Sequence, residues 1–261
     1  MARIRHKLAI LSGKGGVGKS TITANLAIAF ARKGYRVGVL DADIHGPSIP
    51  KLLGMRKETL RASQADGQGI VPVEGPLGIK IVSMDFLLPS DETPVIWRGP
   101  MKTGVIRQFL ADVVWGDLDF LLVDLPPGTG DEPLSIMQLI PNIDGVLMVT
   151  APSELSQLIV KRAIGFTRKL QVPLIGIIEN MSGFVCPKCG AEFDILGAGG
   201  GRRISEELNV PFLGRIPIDQ KLCEDSDKGT PFVVQHAESP AAKALTAVAD
   251  KTEEYLRNLK P

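Results

Sequence analysis

The segment Ser12-Gly-Lys-Gly-Gly-Val-Gly-Lys-Ser-Thr21 constrains the fold of this chain more than any other. It separates a short apolar run, Leu8 to Leu11, from a helical pattern that sets Ile22, Leu26 and Phe30 four residues apart. A strand, a glycine turn and a helix in that order open a βαβ unit, the glycines supplying the backbone conformations of a tight reversal. Further apolar runs follow: Val37 to Leu40, Phe120 to Val123, Val146 to Val149, Leu174 to Ile178 and Phe212 to Leu213. They are continuous rather than alternating, as in strands covered on both faces. Helical stripes lie between and after them. Met101, Val105, Ile106, Phe109, Leu110 and Val113 form one, and Leu245, Val248, Thr252, Leu256 and Leu259 another. The expected fold is α/β, doubly wound around a mostly parallel sheet, with ligands beyond the carboxyl ends of the strands. Residues 68–86 depart from this pattern and read as a hairpin insertion or sheet edge, and residues 56–69 as a mobile loop.

A chain of 261 residues that is 44% hydrophobic can bury a large core. Thirty Lys and Arg against 29 Asp and Glu leave a formal charge of +1, which gives no global electrostatic case for nucleic acid or an anionic membrane as partner. No apolar stretch reaches the roughly 20 residues of a membrane-crossing helix. The basic stretch Met1 to Lys7 leads into too short an apolar run for a secretory signal. Three cysteines, Cys186, Cys189 and Cys223, make no disulfide framework. A soluble, cytoplasmic protein is expected.

Gly13, Gly18, Lys19 and Ser20 satisfy G-x-x-x-x-G-K-[ST], in which backbone N–H groups close around phosphate oxygens at a helix N-terminus. Lys19 would meet the β and γ phosphates and Ser20 would ligate magnesium. Gly13, Gly15 and Gly18 also fit the dinucleotide pattern G-x-G-x-x-G, with Asp41 as a conceivable ribose ligand. A dinucleotide needs neither the lysine nor the hydroxyl, whereas a triphosphate with its metal needs both, and a second acidic position after another strand. Asp124, at the end of Phe120-Leu-Leu-Val-Asp124, supplies it. Asp41-Ala-Asp43 ends the second strand, where one carboxylate could orient water and the other support the metal shell; a cap or turn aspartate is the plainer reading. The Pro and Gly residues of Asp124-Leu-Pro-Pro-Gly-Thr-Gly-Asp131 suit a loop that shifts when a γ phosphate leaves.

The loop Gly13-Lys-Gly-Gly-Val-Gly-Lys-Ser-Thr21 resembles that of the deviant Walker A P-loop ATPases, which include the nitrogenase iron protein, MinD and ParA. The resemblance implies ATP and Mg2+ held by Gly13, Lys14, Gly15, Gly16, Val17, Gly18, Lys19, Ser20 and Thr21, with Asp41 nearby. It implies that Lys14 reaches across a homodimer to the neighbouring nucleotide and acts in catalysis with Lys19 and Asp43. It assigns Asp124 to the magnesium shell through water, Asn180 to the adenine, and Pro217 to the cofactor site.

Cys186-Pro-Lys-Cys189 is a C-x-x-C in a turn-forming context. Two thiolates so spaced can bind one metal from one side or form a redox disulfide; inert turn cysteines are the plainest reading. A closed zinc site or four-iron cluster commonly takes four ligands, and His6, His45 and His236 are scattered, so one chain holds half a site. A twofold axis would bring two pairs together. Cys223 reads as a buried small apolar residue.

With this pair included, nearly the whole chain resembles the Mrp/ApbC-type iron-sulfur cluster carriers. The match rests on the glycine loop, Asp41-Ala-Asp-Ile-His-Gly-Pro-Ser48, Trp97-Arg-Gly-Pro100, Asp124 to Asp131, Glu179-Asn-Met-Ser182, Cys186 to Cys189 and Gly214-Arg-Ile-Pro-Ile-Asp219. It implies a single P-loop ATPase domain over residues 1–261 with a metal-binding loop at about 183–194. It further implies slow ATP hydrolysis and a [4Fe-4S] cluster bridged by Cys186 and Cys189 of two subunits. The implied partners are apo iron-sulfur proteins and cluster assembly proteins, with no nucleic acid and no membrane. Two alternatives keep the ATPase: a positioning protein of the MinD or ParA kind, and a dimer with structural zinc. The final helix, with Asp250, Glu253 and Glu254 among Lys243, Lys251 and Arg257, suits core packing better than a basic membrane tail.

Overall fold

Every apolar run named above becomes a strand. The computed structural model describes residues 1–63, 69–88 and 99–259, so Trp97 and Arg98 of the Trp97 to Pro100 motif, and residues 64–68 of the expected loop, lie outside the described residues. The main sheet comprises β1 (Ile4–Ser12), β2 (Val37–Asp41), β3 (Val73–Glu74), β4 (Lys80–Ser83), β5 (Leu118–Asp124), β6 (Gly145–Thr150), β7 (Leu174–Glu179) and β8 (Phe212–Arg215). Its order is β8-β7-β6-β1-β5-β2-β4-β3. All neighbours are parallel except β3 and β4, the antiparallel hairpin that forms one edge, as the pattern over residues 68–86 anticipates. Ile70–Val71 stands apart from β3, across Pro72, and pairs instead with Arg61–Ala62 inside the expected loop.

The unbroken hydrophobicity of the strands follows from two cores. Along β1, Leu8 and Ile10 face one core while Ala9 and Leu11 face the other. The first core is closed by helices α1 (Lys19–Arg32) and, at the end of the chain, α7 (Pro240–Leu259). Ile22, Leu26 and Phe30 of α1 are fully buried, each side chain of that size contributing roughly 2 kcal/mol on leaving water. Phe30 stacks on Phe120 of β5 with ring centroids 4.3 Å apart. The second core is closed by α2 (Gly99–Asp112), α3 (Asp131–Leu139), α4 (Glu154–Lys169) and α5 (Gly200–Leu208). A further helix, α6 (Gln220–Lys228), packs against the short helix Ile49–Leu52.

Two stripes are shorter than expected. Ile106, Phe109, Leu110 and Val113 are buried, but Met101 is exposed at the start of α2; likewise Leu245, Val248, Thr252 and Leu256 are buried while Leu259 is exposed in the last turn of α7. Both residues sit at helix ends, past the sheet they were expected to cover. Among the described residues no helix is long and apolar enough to cross a membrane.

Candidate functional site

The carboxyl ends of β1, β5, β2 and β7 meet at one edge. β1 ends at Ser12 and α1 begins at Lys19, so the glycine segment bridges strand to helix. Gly16 and Gly18 take φ of +77° and +80°, the left-handed region that side chains avoid. Gly13 lies against Ile159, whose Cγ2 would be 2.6 Å from any added Cβ. The first turn of α1 carries no acidic residue, so the positive end of its dipole faces the loop uncompensated.

Asp124 is fully buried at the centre of this edge. Its Oδ2 accepts hydrogen bonds from Lys19 Nζ and Ser20 Oγ, each at 2.6 Å, and its Oδ1 accepts one from Thr23 Oγ1 at 2.6 Å. A carboxylate and a hydroxyl so close form a hard oxygen donor set that fits magnesium. Asp43 lines a cleft of about 240 Å³ together with Gly15, Lys19, Ser20, Ser48 and Pro127. Burial pushes its carboxyl up from the ordinary range, against the pull of the Lys19 charge. Lys14 is half-buried, and its carbonyl accepts from Ser12 Oγ at 3.0 Å; Thr21 is half-buried and Val17 is buried.

Asp41 has a different setting. It pairs in register with Asp124 on the neighbouring strand, and its Oδ2 accepts from the Ser48 amide at 3.0 Å, the Ile49 amide at 3.2 Å and Ser83 Oγ at 3.1 Å. The Asp43 amide donates to Oδ1 at 3.2 Å. Burial, followed by the charge of Asp124, pushes the Asp41 carboxyl up to about 7. A carboxylate engaged with its own loop and 0% exposed leaves no face for a ribose, which removes the dinucleotide alternative. The aspartate pair is thus divided: Asp43 faces the cleft and Asp41 holds the Asp43 to Ile49 loop.

A second cleft of about 520 Å³ opens beside the loop between Gly18 and Thr21 on one side and Asn180, Pro217, Leu222 and Cys223 on the other. Asn180 Nδ2 donates to the carbonyl of Val17 at 2.9 Å. Asn180 and Pro217, far apart in sequence, therefore face one space next to the phosphate loop. Cys223 corrects an expectation: it is exposed and lines this cleft, because the polar helix α6 buries Leu222 and turns the next position outward.

The cysteine pair occupies a two-stranded ribbon, Phe184–Val185 against Glu192–Phe193, beyond the end of β7. The Cys186 amide donates to the Ala191 carbonyl at 2.9 Å and the Gly190 amide to the Cys186 carbonyl at 2.9 Å, with Gly190 in the left-handed region at φ +74°. The tip is a tight knuckle that presents both side chains together. Hydrogen bonds from the amides of Lys188 and Cys189 and from the Cys189 thiol lower the Cys186 thiol below its ordinary value, which favours the thiolate form that binds metal. Cys186 is half-buried and Cys189 exposed. No group of three or more His, Cys, Asp and Glu suited to a metal occurs among the described residues. Cys186 and Cys189 are the two thiols that the knuckle presents. A third cavity, of about 330 Å³, lies under the ribbon and shares Pro217, Ile218 and Asp219 with the cleft beside the loop.

A model of the NUBPL iron-transfer P-loop NTPases, within the ParA group, matches residues 3–253. The chain belongs to that family. It is 56% identical over 255 residues to the iron-sulfur cluster carrier protein of Methanocaldococcus jannaschii, covering 97% of this chain and 87% of that one. Among solved structures it is similar to the nucleotide-binding protein of Archaeoglobus fulgidus in complex with ADP, with cobalt, at 42% identity, a TM-score of 0.78 and 88% of each chain. MinD of Aquifex aeolicus, at 24% identity and a TM-score of 0.68 over 95% of this chain and 97% of that one, shares the fold. The α/β P-loop fold and the iron-sulfur carrier resemblance read from the sequence are both borne out. The sequence reading does not mark Thr23 and Ser83, which bond Asp124 and Asp41. Thr23 was within reach of sequence reasoning, since it lies one helical turn after Lys19 on the same face; Ser83 depends on β4 lying next to β2, which no local signal reveals.

Proposed function

We propose that this chain is a homodimeric, cytoplasmic ATPase that receives a [4Fe-4S] cluster between two copies and passes it to apo iron-sulfur proteins, with cluster assembly proteins as partners in the exchange. The observation that carries the reading is the two-thiol knuckle built at the same sheet edge as the phosphate loop, with a donor set that one chain leaves half filled. Two copies would supply four thiolates from Cys186 and Cys189. The cluster is cargo, so the knuckle has to release it as well as hold it, and its exposed position suits both.

The nucleotide reading assigns each residue a task. Backbone N–H groups from Gly13 to Thr21 cradle the phosphates, and Lys19 turns from Asp124 to the β and γ oxygens. Ser20 and Asp124 would hold magnesium, which would supply positive charge against the phosphates. Asp43 orients the attacking water, Lys14 reaches the partner's nucleotide, and Asn180 and Pro217 enclose the adenine. Loss of the γ phosphate frees the loops at 41–48 and 124–131, which alters the interface between copies and with it the grip on the cluster.

Anaerobic reconstitution tests the reading. The wild-type protein should elute as a dimer with about four iron and four sulfide per pair of chains and no stoichiometric zinc. Lys19→Ala should abolish ATP turnover and block cluster transfer to an apo-protein, while Cys186→Ser should remove the cluster and leave ATP binding. A monomer with a full cluster, stoichiometric zinc in place of iron, or unimpaired transfer by both variants would overturn it.

A further inference from the structure

The chain leaves β7 at Glu179 and makes an excursion over residues 180–199 that carries the ribbon and both cysteines before α5 begins at Gly200. Glu179 is fully buried. Its carboxylate holds both ends of the excursion. At the near end the Ser182 hydroxyl donates to Oε1; at the far end the Gly199 amide donates to Oε1 at 2.8 Å and the Gly201 amide to Oε2. A carboxylate taken out of water needs such donors, and the amides that begin α5 are those a helix leaves unbonded. Glycine is required at the far end: Gly199 sits at φ +78°, and a Cβ on Gly201 would be 3.0 Å from Glu179 Oε2.

The same short segment forms the wall of the cleft beside the phosphate loop. Asn180 follows Glu179 directly and bonds the Val17 carbonyl. The Ser182 amide donates to the Ile216 carbonyl at 2.9 Å and the Ile218 amide to the Gly183 carbonyl at 2.8 Å, so the two bonds flank Pro217 and tie it to the same wall. Phe184 then bridges to Ile218 as the ribbon begins. A group seated against the wall formed by Asn180 and Pro217 therefore bears on the strand that enters the ribbon. Because one carboxylate joins entry to exit, the ribbon answers as a unit.

We infer that Glu179 is a positioning residue through which an occupied cleft sets the geometry of the cysteine pair. The inference rests on the reading of that cleft as the nucleotide-base site and deepens it. Glutamine at this position keeps the shape but turns an NH2 group toward either the Gly201 amide or the Gly199 amide; the Ser182 hydroxyl can accept from it but a backbone amide cannot, so one of the two far-end amides loses its acceptor. Ser182→Ala keeps the charge and removes only the near-end hydroxyl.

The test measures alkylation of each cysteine by iodoacetamide, resolved by peptide mass spectrometry, on cluster-free protein with and without saturating ADP. Cys223 lines the cleft, so its protection reports occupancy independently of the ribbon. In wild-type protein ADP should change the rates at Cys186 and Cys189 by about fivefold, a modest coupling between sites. In Glu179→Gln the change should fall below about twofold while Cys223 stays protected, and Ser182→Ala should lose part of the response. The inference is overturned if wild-type Cys186 and Cys189 ignore ADP while Cys223 is protected, or if both variants respond as the wild type does. If Glu179→Gln fails to fold, Ser182→Ala decides alone: an undiminished response rejects the inference and a diminished one supports it. Absence of both Cys223 protection and calorimetric ADP binding in the wild type would bring down the nucleotide reading itself, and the inference with it.

Discussion

At the scale of single residues, Gly18 and Asp41 have the most consequence. Gly18 combines φ +80° with a position where a Cβ would run into the Asn180 amide. Gly18→Ala should cost roughly 1–2 kcal/mol of stability from the left-handed backbone alone. It should also weaken ADP binding by displacing Asn180; thermal melts and calorimetric titration read the two effects separately. Asp41 makes stability depend on pH. Its folded value of about 7 lies above the ordinary 3.8, so the folded protein binds this proton more tightly than the unfolded chain does. The group's contribution therefore falls as pH rises from about 4 to about 7, and the loss is complete above that. Asp41→Asn can keep three of the four donors satisfied and should gain melting temperature relative to wild type across that window; a difference that is flat from pH 4 to 8 would count against the assignment. Lys19, Ser20 and Asp124 were legible because their spacing is a local chemical pattern. Ser83 and Glu179 were not, since each acts on residues brought near only by the folded sheet or by the return of a long excursion.

Secondary elements were legible where hydrophobicity ran long enough to identify a doubly covered strand, and less so where two residues suffice. Ile70–Val71 reads as part of one hairpin with β3 and β4, yet it pairs with Arg61–Ala62, because Pro72 cannot carry the ladder onward. The docking of α1 against α7 was foreseen only through apolar stripes, but a polar cluster fastens it too. Glu253 accepts from Lys33 Nζ at 2.5 Å and Tyr35 Oη at 2.6 Å and pairs with Arg257. Burial alone would raise this carboxyl, but the hydrogen bonds from Lys33 and Tyr35 and the charges of Lys33 and Arg257 hold it down at about 2. A depressed carboxylate contributes stability above its unfolded value near 4.5, and that contribution disappears as pH falls through 2. Glu253→Gln should therefore melt below wild type at pH 7, with the gap narrowing progressively below pH 4.5; paired melts down the acid range would show a constant gap if the pairing were unimportant.

For the whole molecule, the sheet order could not be read from the sequence, because a parallel strand is indifferent, locally, to which neighbour it will find. The proposed second copy rests on the count of thiols in the sequence and on no feature of the fold. The proposed reach of Lys14 into the partner's site makes a prediction at this scale. Lys14→Ala and Lys19→Ala chains should each be inactive alone. In a mixed dimer the Lys14→Ala chain keeps its own phosphate loop and receives the partner's Lys14. Random exchange should then restore roughly a quarter of wild-type turnover, from half the dimers with one working site each. Phosphate release measured across mixing ratios checks this, and additive inactivity at every ratio would place Lys14 in its own site.

The central position of β1 between β6 and β5 has a consequence for biogenesis. A ribosome emitting this chain exposes β1 and the glycine segment well before the flanking strands, which follow more than a hundred residues later. Throughout that interval an apolar strand waits with both edges unpaired, and such a strand invites aggregation.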